Sequence, residues 1–138
     1  MKLIFERLYP YIIALISAFL WNQHHIVFPK GDSIISSTLT VSGIFVGFLA
    51  TSKSILISMN SSIISEIKKS GYMNDLVSYI GHAIWSNLAF CSFNVIAYFI
   101  DTSSKLFGSL WVFIGVSSLF CFIRVTHIML KVFKYGNA

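Results

Sequence analysis

The sequence predicts an all-α integral membrane protein with four transmembrane helices, the second of which extends into the cytoplasm. Of its 138 residues, 56% are hydrophobic and only 11% are charged, whereas about a quarter of a soluble domain is charged. The mean hydropathy is +0.78, and the apolar residues fall into four stretches near the roughly 20 residues that cross a bilayer. This composition leaves too little polar surface for a soluble enzyme and is too apolar for a disordered chain.

The first predicted span covers about residues 8–27. Lys2 and Arg7 precede it, as in a secretory signal, but Trp21-Asn22-Gln23-His24 follows in place of a small-residue cleavage site. We therefore expect a retained anchor. The Pro and Gly of the segment 28–32 then predict a tight turn.

The second predicted span covers about residues 34–59, and its helical pattern continues beyond the membrane. Ile55, Met59, Ile63 and Ile67 recur at steps of four, which is the spacing of one helical face. This predicts a cytoplasmic helical segment over about residues 60–80. We expect a break at Gly71 and a new helix capped by Asn74 within that segment.

The third and fourth spans are predicted over about residues 84–100 and 106–130, with a polar turn at 101–105 between them. A polar tail follows from Lys131. The chain 1–138 contains no linker or internal repeat that would predict a second domain, so we expect one four-span membrane domain.

Charge asymmetry predicts that both termini lie in the cytoplasm. Only Lys30 and Lys105 would then lie outside. The basic residues expected inside are Lys2, Arg7, Lys53, Lys68, Lys69, Arg124, Lys131 and Lys134. This distribution accounts for the net charge of +5 without an arginine-rich run, so we expect no direct binding of nucleic acid.

The chemistry of an enzyme or a proton-coupled carrier is not evident in the sequence. All five acidic residues lie at span ends or in connections, whereas proton handling normally needs an ionisable group within the membrane. There is no G-x-S-x-G elbow and no glycine-rich phosphate loop. Cys91 and Cys121 lie in apolar stretches without metal-site spacing. We expect no catalysis, no cofactor and no bound metal.

A stripe of small residues follows the second span, at successive gaps of three or four residues. Its members, here called the α2 seam, are Ser36, Thr40, Gly43, Gly47, Thr51, Ser54 and Ser58. Gly43 and Gly47 form a G-x-x-x-G motif, which permits close approach of two helix backbones. The seam fits three interpretations: packing within the chain, contact between identical subunits, and a polar pore lining.

A second pattern is a basic inner-interface cluster of Lys53, Arg124, His127 and Lys131. At about 1.5 Å per residue, Lys53 lies roughly 28 Å into its span, near the inner boundary. These side chains suit snorkelling to headgroups, a ring at a pore mouth or a lipid-headgroup site. Asn87 and Asn94, seven residues apart on the third helix, predict interhelical hydrogen bonds.

The stretch Ser42-Gly43-Ile44-Phe45-Val46-Gly47-Phe48-Leu49-Ala50-Thr51-Ser52 leads into a long helix rich in apolar residues and serine. A Gly71-Tyr72 break and a re-entering third span follow. Over about positions 40–100 this arrangement resembles small membrane effectors encoded beside bacterial antiphage defence genes, such as retron-associated membrane effectors. The resemblance implies a protein that perturbs the inner membrane when a partner releases it. It supplies no catalytic residues.

The sequence leads to three functional hypotheses. The first is a homo-oligomeric effector in antiphage defence that permeabilises the inner membrane or forms a pore under the control of a cytoplasmic protein partner. The second is a non-catalytic accessory or anchoring subunit of a larger membrane complex, and the third is a small carrier. Membrane lipids are partners in each.

Overall fold

The computed structural model describes residues 2–29, 31–58, 64–65, 69 and 71–136, and these residues are all-α, with four long helices. The helices are α1 (Lys2–Gln23), α2 (Ser33–Ser58), α3 (Tyr72–Ala97) and α4 (Lys105–Gly136). The all-α class and the four long helices agree with the prediction from sequence.

The helices pack in the order α1, α4, α3, α2, so that neighbours in the sequence are not always neighbours in space. α4 lies between α1 and α3, while α2 packs along α3 and touches α4 only briefly. At one end, here called the turn end, Lys105 Nζ lies 3.3 Å from His25 Nδ1. At the opposite end, Arg7 forms a 3.8 Å ion pair with Asp75.

Within the described part of the chain, three helical segments are long and apolar enough to cross a membrane, and they indicate a multi-pass membrane protein. They are Ser33–Ser58, Tyr72–Ala97 and Lys105–Val132. α1 is not among the three, so a fourth span remains a prediction. The outward face of α1 is nevertheless apolar, with Leu15 and Phe19 about 60% exposed.

Local hydrogen bonding sets the end of α1, which falls at Gln23 and not near residue 27 as predicted. The N–H of His24 donates to Leu20 O and that of Ile26 donates to Trp21 O. Between them, His25 adopts a left-handed backbone conformation with φ 49°. A right-handed helix cannot continue through a residue in this conformation.

The helix that contains the predicted third span, α3, begins at Tyr72, which corrects the predicted cap at Asn74. Gly71 has φ 78° directly before the helix, a conformation that favours glycine. Asn74 instead lies in the first turn, where its N–H donates to Gly71 O. The helix ends at Ala97, before the predicted residue 100, where Tyr98 and Phe99 form a hydrogen-bonded turn.

Eight of the 21 residues in the predicted cytoplasmic segment 60–80 lie outside the described residues. Residues 59–63, 66–68 and 70 are not described, and they include Ile63 and Ile67, which carried the proposed apolar face. Ile64 is described and is buried in the core. The extension therefore stays a prediction.

α4 begins at a capped turn. Ser104 Oγ accepts a hydrogen bond from the N–H of Phe107, which satisfies one donor of the first helical turn. Just before it, hydrogen bonds from the Ser103 side chain and backbone N–H hold the pKa of the Asp101 carboxyl below its ordinary value. α4 continues past the predicted end at residue 130 to Gly136, because no Gly or Pro interrupts it there.

Among the described residues, the core consists of two clusters along the bundle. The cluster at the turn end contains Phe28 and Phe107, whose rings meet edge to face at 5.1 Å. The larger cluster, toward the opposite end, joins Leu49 and Leu56 of α2 to Tyr79 of α3 and Val125 of α4. The polar groups described next lie between these clusters.

Candidate functional site

A chain of buried polar groups joins α2, α3 and α4 within the span. Asn94 Oδ1 accepts hydrogen bonds from Thr38 Oγ1 at 3.1 Å and from Trp111 Nε1 at 3.0 Å. Asn94 Nδ2 donates to Phe90 O within its own helix. The prediction that Asn94 forms interhelical hydrogen bonds is therefore confirmed.

Asn87, two turns before Asn94 in α3, is also fully buried. Its Nδ2 donates to Ala83 O at 2.9 Å and to Ser118 O of α4 at 3.3 Å, which confirms its predicted interhelical bond. Both partners are carbonyl oxygens, so the amide nitrogen must face them. Asn87 Oδ1 has no hydrogen-bond partner among the described residues.

A cavity of about 310 Å³ lies beside these groups, where α2 and α4 do not close against one another. Its lining residues include Asn87, Trp111 and Ser118. Val41 of α2 and Leu119 of α4 also line it, and both are exposed on the outside of the bundle. Most of the lining is apolar, including Phe45, Phe90 and Val116. The cavity is therefore an apolar space next to a buried acceptor.

The α2 seam lies on the face of α2 that points away from the bundle. All seven members are exposed, and an added Cβ at Gly43 or Gly47 would meet no atom within 4 Å. The hydroxyls of Thr40, Thr51 and Ser54 donate to carbonyls of their own helix. Among the described residues, the structure does not show the first of the three interpretations, in which the seam packs within the chain.

A different stripe of α2 carries the contacts within the subunit. Its buried members also recur at steps of three, four or seven, and they are Ile35, Ser42, Leu49, Ser52 and Leu56. Ser42 Oγ lies 3.0 Å from Cys91 Sγ of α3. The seam thus occupies the side of α2 that is left over once this stripe is buried.

The four members of the basic inner-interface cluster are placed in different surroundings. Arg124 is buried, and its guanidinium carbon lies 4.5 Å from the centroid of the Tyr79 ring. His127 and Lys131 are exposed and Lys53 is half-buried. Arg124 thus faces α3, while His127 and Lys131 face outward.

A second guanidinium group, that of Arg7 in α1, also lies near the Tyr79 ring. The Arg7 carbon lies 5.9 Å from the Tyr79 ring centroid, and Arg7 also pairs with Asp75. Cations over an aromatic face are attracted by its quadrupole. This grouping ties α1, α3 and α4 together at the end opposite to the turns.

Several of these residues were not predicted from the sequence, among them Thr38, Tyr79, Trp111 and Ser118. The signal available for Thr38 was its spacing of four from Ser42 on the buried stripe, but the more regular seam obscured it. Tyr79 and Trp111 read as ordinary apolar residues of their helices. Among the described residues, no three His, Cys, Asp or Glu side chains are grouped so that they could hold a metal ion.

Comparison with known proteins yields no relative. No family model matches the chain, and neither a curated protein nor a solved structure shows significant similarity to it.

Proposed function

We propose that the chain is a homo-oligomeric protein of the bacterial inner membrane whose subunits join along the α2 seam. Its assembly permeabilises the membrane or forms a pore, and a cytoplasmic protein partner controls this activity. As the resemblance stated above implies, its place is in antiphage defence. Both termini lie in the cytoplasm, and the protein performs no catalysis.

The exposure of the seam is the observation that supports this proposal. Lipid tails are as apolar as leucine, so helices associate in a membrane mainly by close packing and interhelical hydrogen bonds. Small residues permit that packing because they let backbones approach. Here an uninterrupted small-residue face, with open space at Gly43 and Gly47, lies on the outside of the subunit.

A second copy is the occupant that the seam fits best. A two-fold contact uses the same patch on both subunits, and small residues on each of two copies would let their α2 helices approach closely. If several α2 helices meet in a ring, the hydroxyls at positions 40, 51 and 54 supply oxygen atoms along the contact. Rings of oxygen atoms are a means by which channels line a path for ions.

The same face also suits an accessory subunit that anchors a larger membrane complex, with a different membrane helix in place of the second copy. A small carrier is the weakest of the three hypotheses. The cavity beside Asn87 is an internal space that a carrier could use, yet none of its described lining residues is acidic, and proton-coupled transport relies on such groups.

The test compares two glycine-to-leucine changes in purified protein. Gly47→Leu places a large side chain on the seam, while Gly81→Leu is the matched control on α3, where an added Cβ likewise meets no atom within 4 Å. We expect wild type and Gly81→Leu to form the same oligomer in mild detergent and to release dye from vesicles. Gly47→Leu should run as a smaller species and release little dye.

The outcomes separate the hypotheses. A wild-type chain that runs as a monomer, leaves vesicles intact and co-purifies with a larger membrane complex from its own host would favour the accessory subunit. Equal oligomer size and equal dye release for Gly47→Leu and wild type would refute assembly along the seam. An oligomer that never releases dye, even with its genomic neighbours co-expressed, would refute the permeabilising activity.

A further inference from the structure

A groove of about 670 Å³ lies between α1 and α4 on the outside of the bundle. Two small, half-buried residues line it, Ala18 of α1 and Ser109 of α4. Beside them are larger side chains that reach outward, Leu15 and Leu110, which are 60% and 44% exposed. The small residues leave room between the larger ones, so the groove is open to whatever surrounds the bundle.

The groove is polar at the turn end and apolar further along the helices. Asn22 and Lys105 line its polar end, and Leu15 and Phe113 line its apolar end. Lys105 is the first residue of the membrane-crossing segment Lys105–Val132, so its ammonium lies where headgroups meet the hydrocarbon. Phe113 follows about 12 Å further along the helix, within a hydrocarbon leaflet of about 15 Å.

Lys105 brings a positive charge to the polar end of the groove, and the ammonium is exposed. It has three donors, of which one is directed to His25 Nδ1 at 3.3 Å. Among the described residues Lys105 forms no ion pair, and none of the described lining residues is acidic. This end of the groove therefore complements an anion and offers no partner for the ammonium of a zwitterionic headgroup.

We propose that this groove binds an anionic phospholipid, such as phosphatidylglycerol, whose phosphate accepts hydrogen bonds from Lys105. One acyl chain lies along the apolar part of the groove, past Ala18 and Leu110. Basic pockets between membrane helices bind lipid headgroups in this way. The site goes beyond the proposed assembly, because α1 and α2 lie at opposite edges of the bundle and the groove contains no residue of the α2 seam.

The test counts bound lipids on the purified protein in mild detergent by native mass spectrometry. The protein is titrated with dioleoylphosphatidylglycerol and, separately, with dioleoylphosphatidylcholine. The two lipids carry the same acyl chains, so they differ only in the headgroup. Lipids are counted per subunit, which makes the result independent of the oligomeric state.

We expect the first phosphatidylglycerol to bind wild type with about a fivefold lower Kd than the first phosphatidylcholine, the effect of one lysine at a membrane surface. Lys105→Gln removes the charge and should abolish this preference. Lys131→Gln is the matched control, because it removes the same charge from an exposed residue at the other end of α4. It should keep the preference.

A second pair of variants tests the apolar part of the groove. Ala18→Phe fills the groove and should raise the Kd of both lipids at least about fivefold, given the overpacking that a bound chain would then meet. Ala89→Phe is its control, because Ala89 is exposed on α3 and outside the groove lining; it should bind both lipids as wild type does. If Ala18→Phe fails to fold, the two lipids and the two lysine variants still decide the matter.

Four outcomes would overturn the proposal. They are equal Kd values for the two lipids on wild type, an equal loss of preference in both lysine variants, unchanged binding in Ala18→Phe, and displacement of the lipid by glycerophosphoglycerol, the headgroup without acyl chains. The second would indicate general attraction to the net charge of +5, and the last would assign the site to a soluble phosphate compound. Gly47→Leu, which breaks the proposed seam contact, should bind phosphatidylglycerol as wild type does, so failure of the seam and failure of the groove are distinguishable.

Discussion

At the scale of single residues, Arg124 shows how a charge is accommodated inside an apolar bundle. Ionisable residues in membrane helices face the bundle interior, where they find polar or aromatic partners. Arg124 is only 4% exposed, and its guanidinium lies over the Tyr79 ring. The sequence placed Arg124 on one stripe with His127 and Lys131. The sequence does not reveal how that stripe is rotated relative to α3. This rotation buries Arg124 and exposes His127 and Lys131.

The first prediction distinguishes the contribution of the Tyr79 ring to stability from that of its hydroxyl. Tyr79 Oη is buried without a hydrogen-bond partner among the described residues, so Tyr79→Phe removes a polar atom that gains little from burial. We expect the free energy of unfolding to stay within about 0.5 kcal/mol or to rise. Tyr79→Leu loses the aromatic face and leaves a void, and should cost about 2 kcal/mol.

Unfolding in mixed micelles, followed by circular dichroism, measures both variants against wild type. A loss of more than about 1 kcal/mol in Tyr79→Phe would show that the hydroxyl forms a hydrogen bond after all.

The second prediction contrasts two glycines. An added Cβ at Gly115 would lie 3.0 Å from Phe90 Cζ, whereas one at Gly43 would meet nothing within 4 Å. Gly115→Leu should therefore overpack the interface of α3 and α4 and destabilise the subunit by about 1–3 kcal/mol. Gly43→Leu should leave the stability of the monomer unchanged. Unfolding of the two variants under monomeric conditions checks this, and equal midpoints would contradict it.

At the scale of the helix, α2 explains why the fold was more predictable than the site. Length and hydropathy were enough to locate the helices, because both are properties of the local sequence. Two stripes of α2 have the same spacing, one through Thr40 and Gly47 and the other through Ser42 and Leu49. Spacing alone cannot tell which stripe meets α3. That choice depends on side chains of α3 and α4 far along the chain.

Helix ends show the same limit. The sequence predicted the break at Gly71, since a positive φ there favours glycine, but it placed the start of the next helix at Asn74. The left-handed backbone of His25 was not foreseen, because histidine adopts a positive φ far less often than glycine does. Where an end depends on a residue with strong conformational bias, the sequence locates it to within a few residues.

The third prediction tests which stripe of α2 meets a second copy. In a chain whose two cysteines are replaced (Cys91→Ser and Cys121→Ala), Gly47→Cys presents a thiol on the seam. Mild oxidation in membranes should link two subunits through this thiol. Leu49→Cys is the control on the same helix, because Leu49 is fully buried against the bundle; it should stay monomeric. Efficient linking at position 49 and none at position 47 would reverse the assignment of the two faces.

At the scale of the whole molecule, the packing places the α1–α2 and α3–α4 connections at the turn end and the start of α1 near the start of α3. Arg7 and Asp75 are paired at one end, and His25 and Lys105 approach each other at the turn end. α1 therefore runs alongside α4 in the opposite direction. If α1 crosses the membrane with its neighbours, the side holding Arg7 and Lys131 is the basic side, which the positive-inside rule assigns to the cytoplasm.

The final prediction tests that topology and decides whether α1 is a fourth span. In the cysteine-free chain, single cysteines replace Arg7, His24, Lys105 or Lys131, all of which are exposed. If all four helices cross, an impermeant thiol reagent added to intact cells should label positions 24 and 105 and should reach 7 and 131 only after lysis. If α1 instead lies on one surface, positions 7 and 24 should label alike, because the chain between them then never leaves that side. Labelling of 7 and 131 in intact cells, with 24 and 105 protected, would invert the orientation and would place the basic residues outside, against the charge rule.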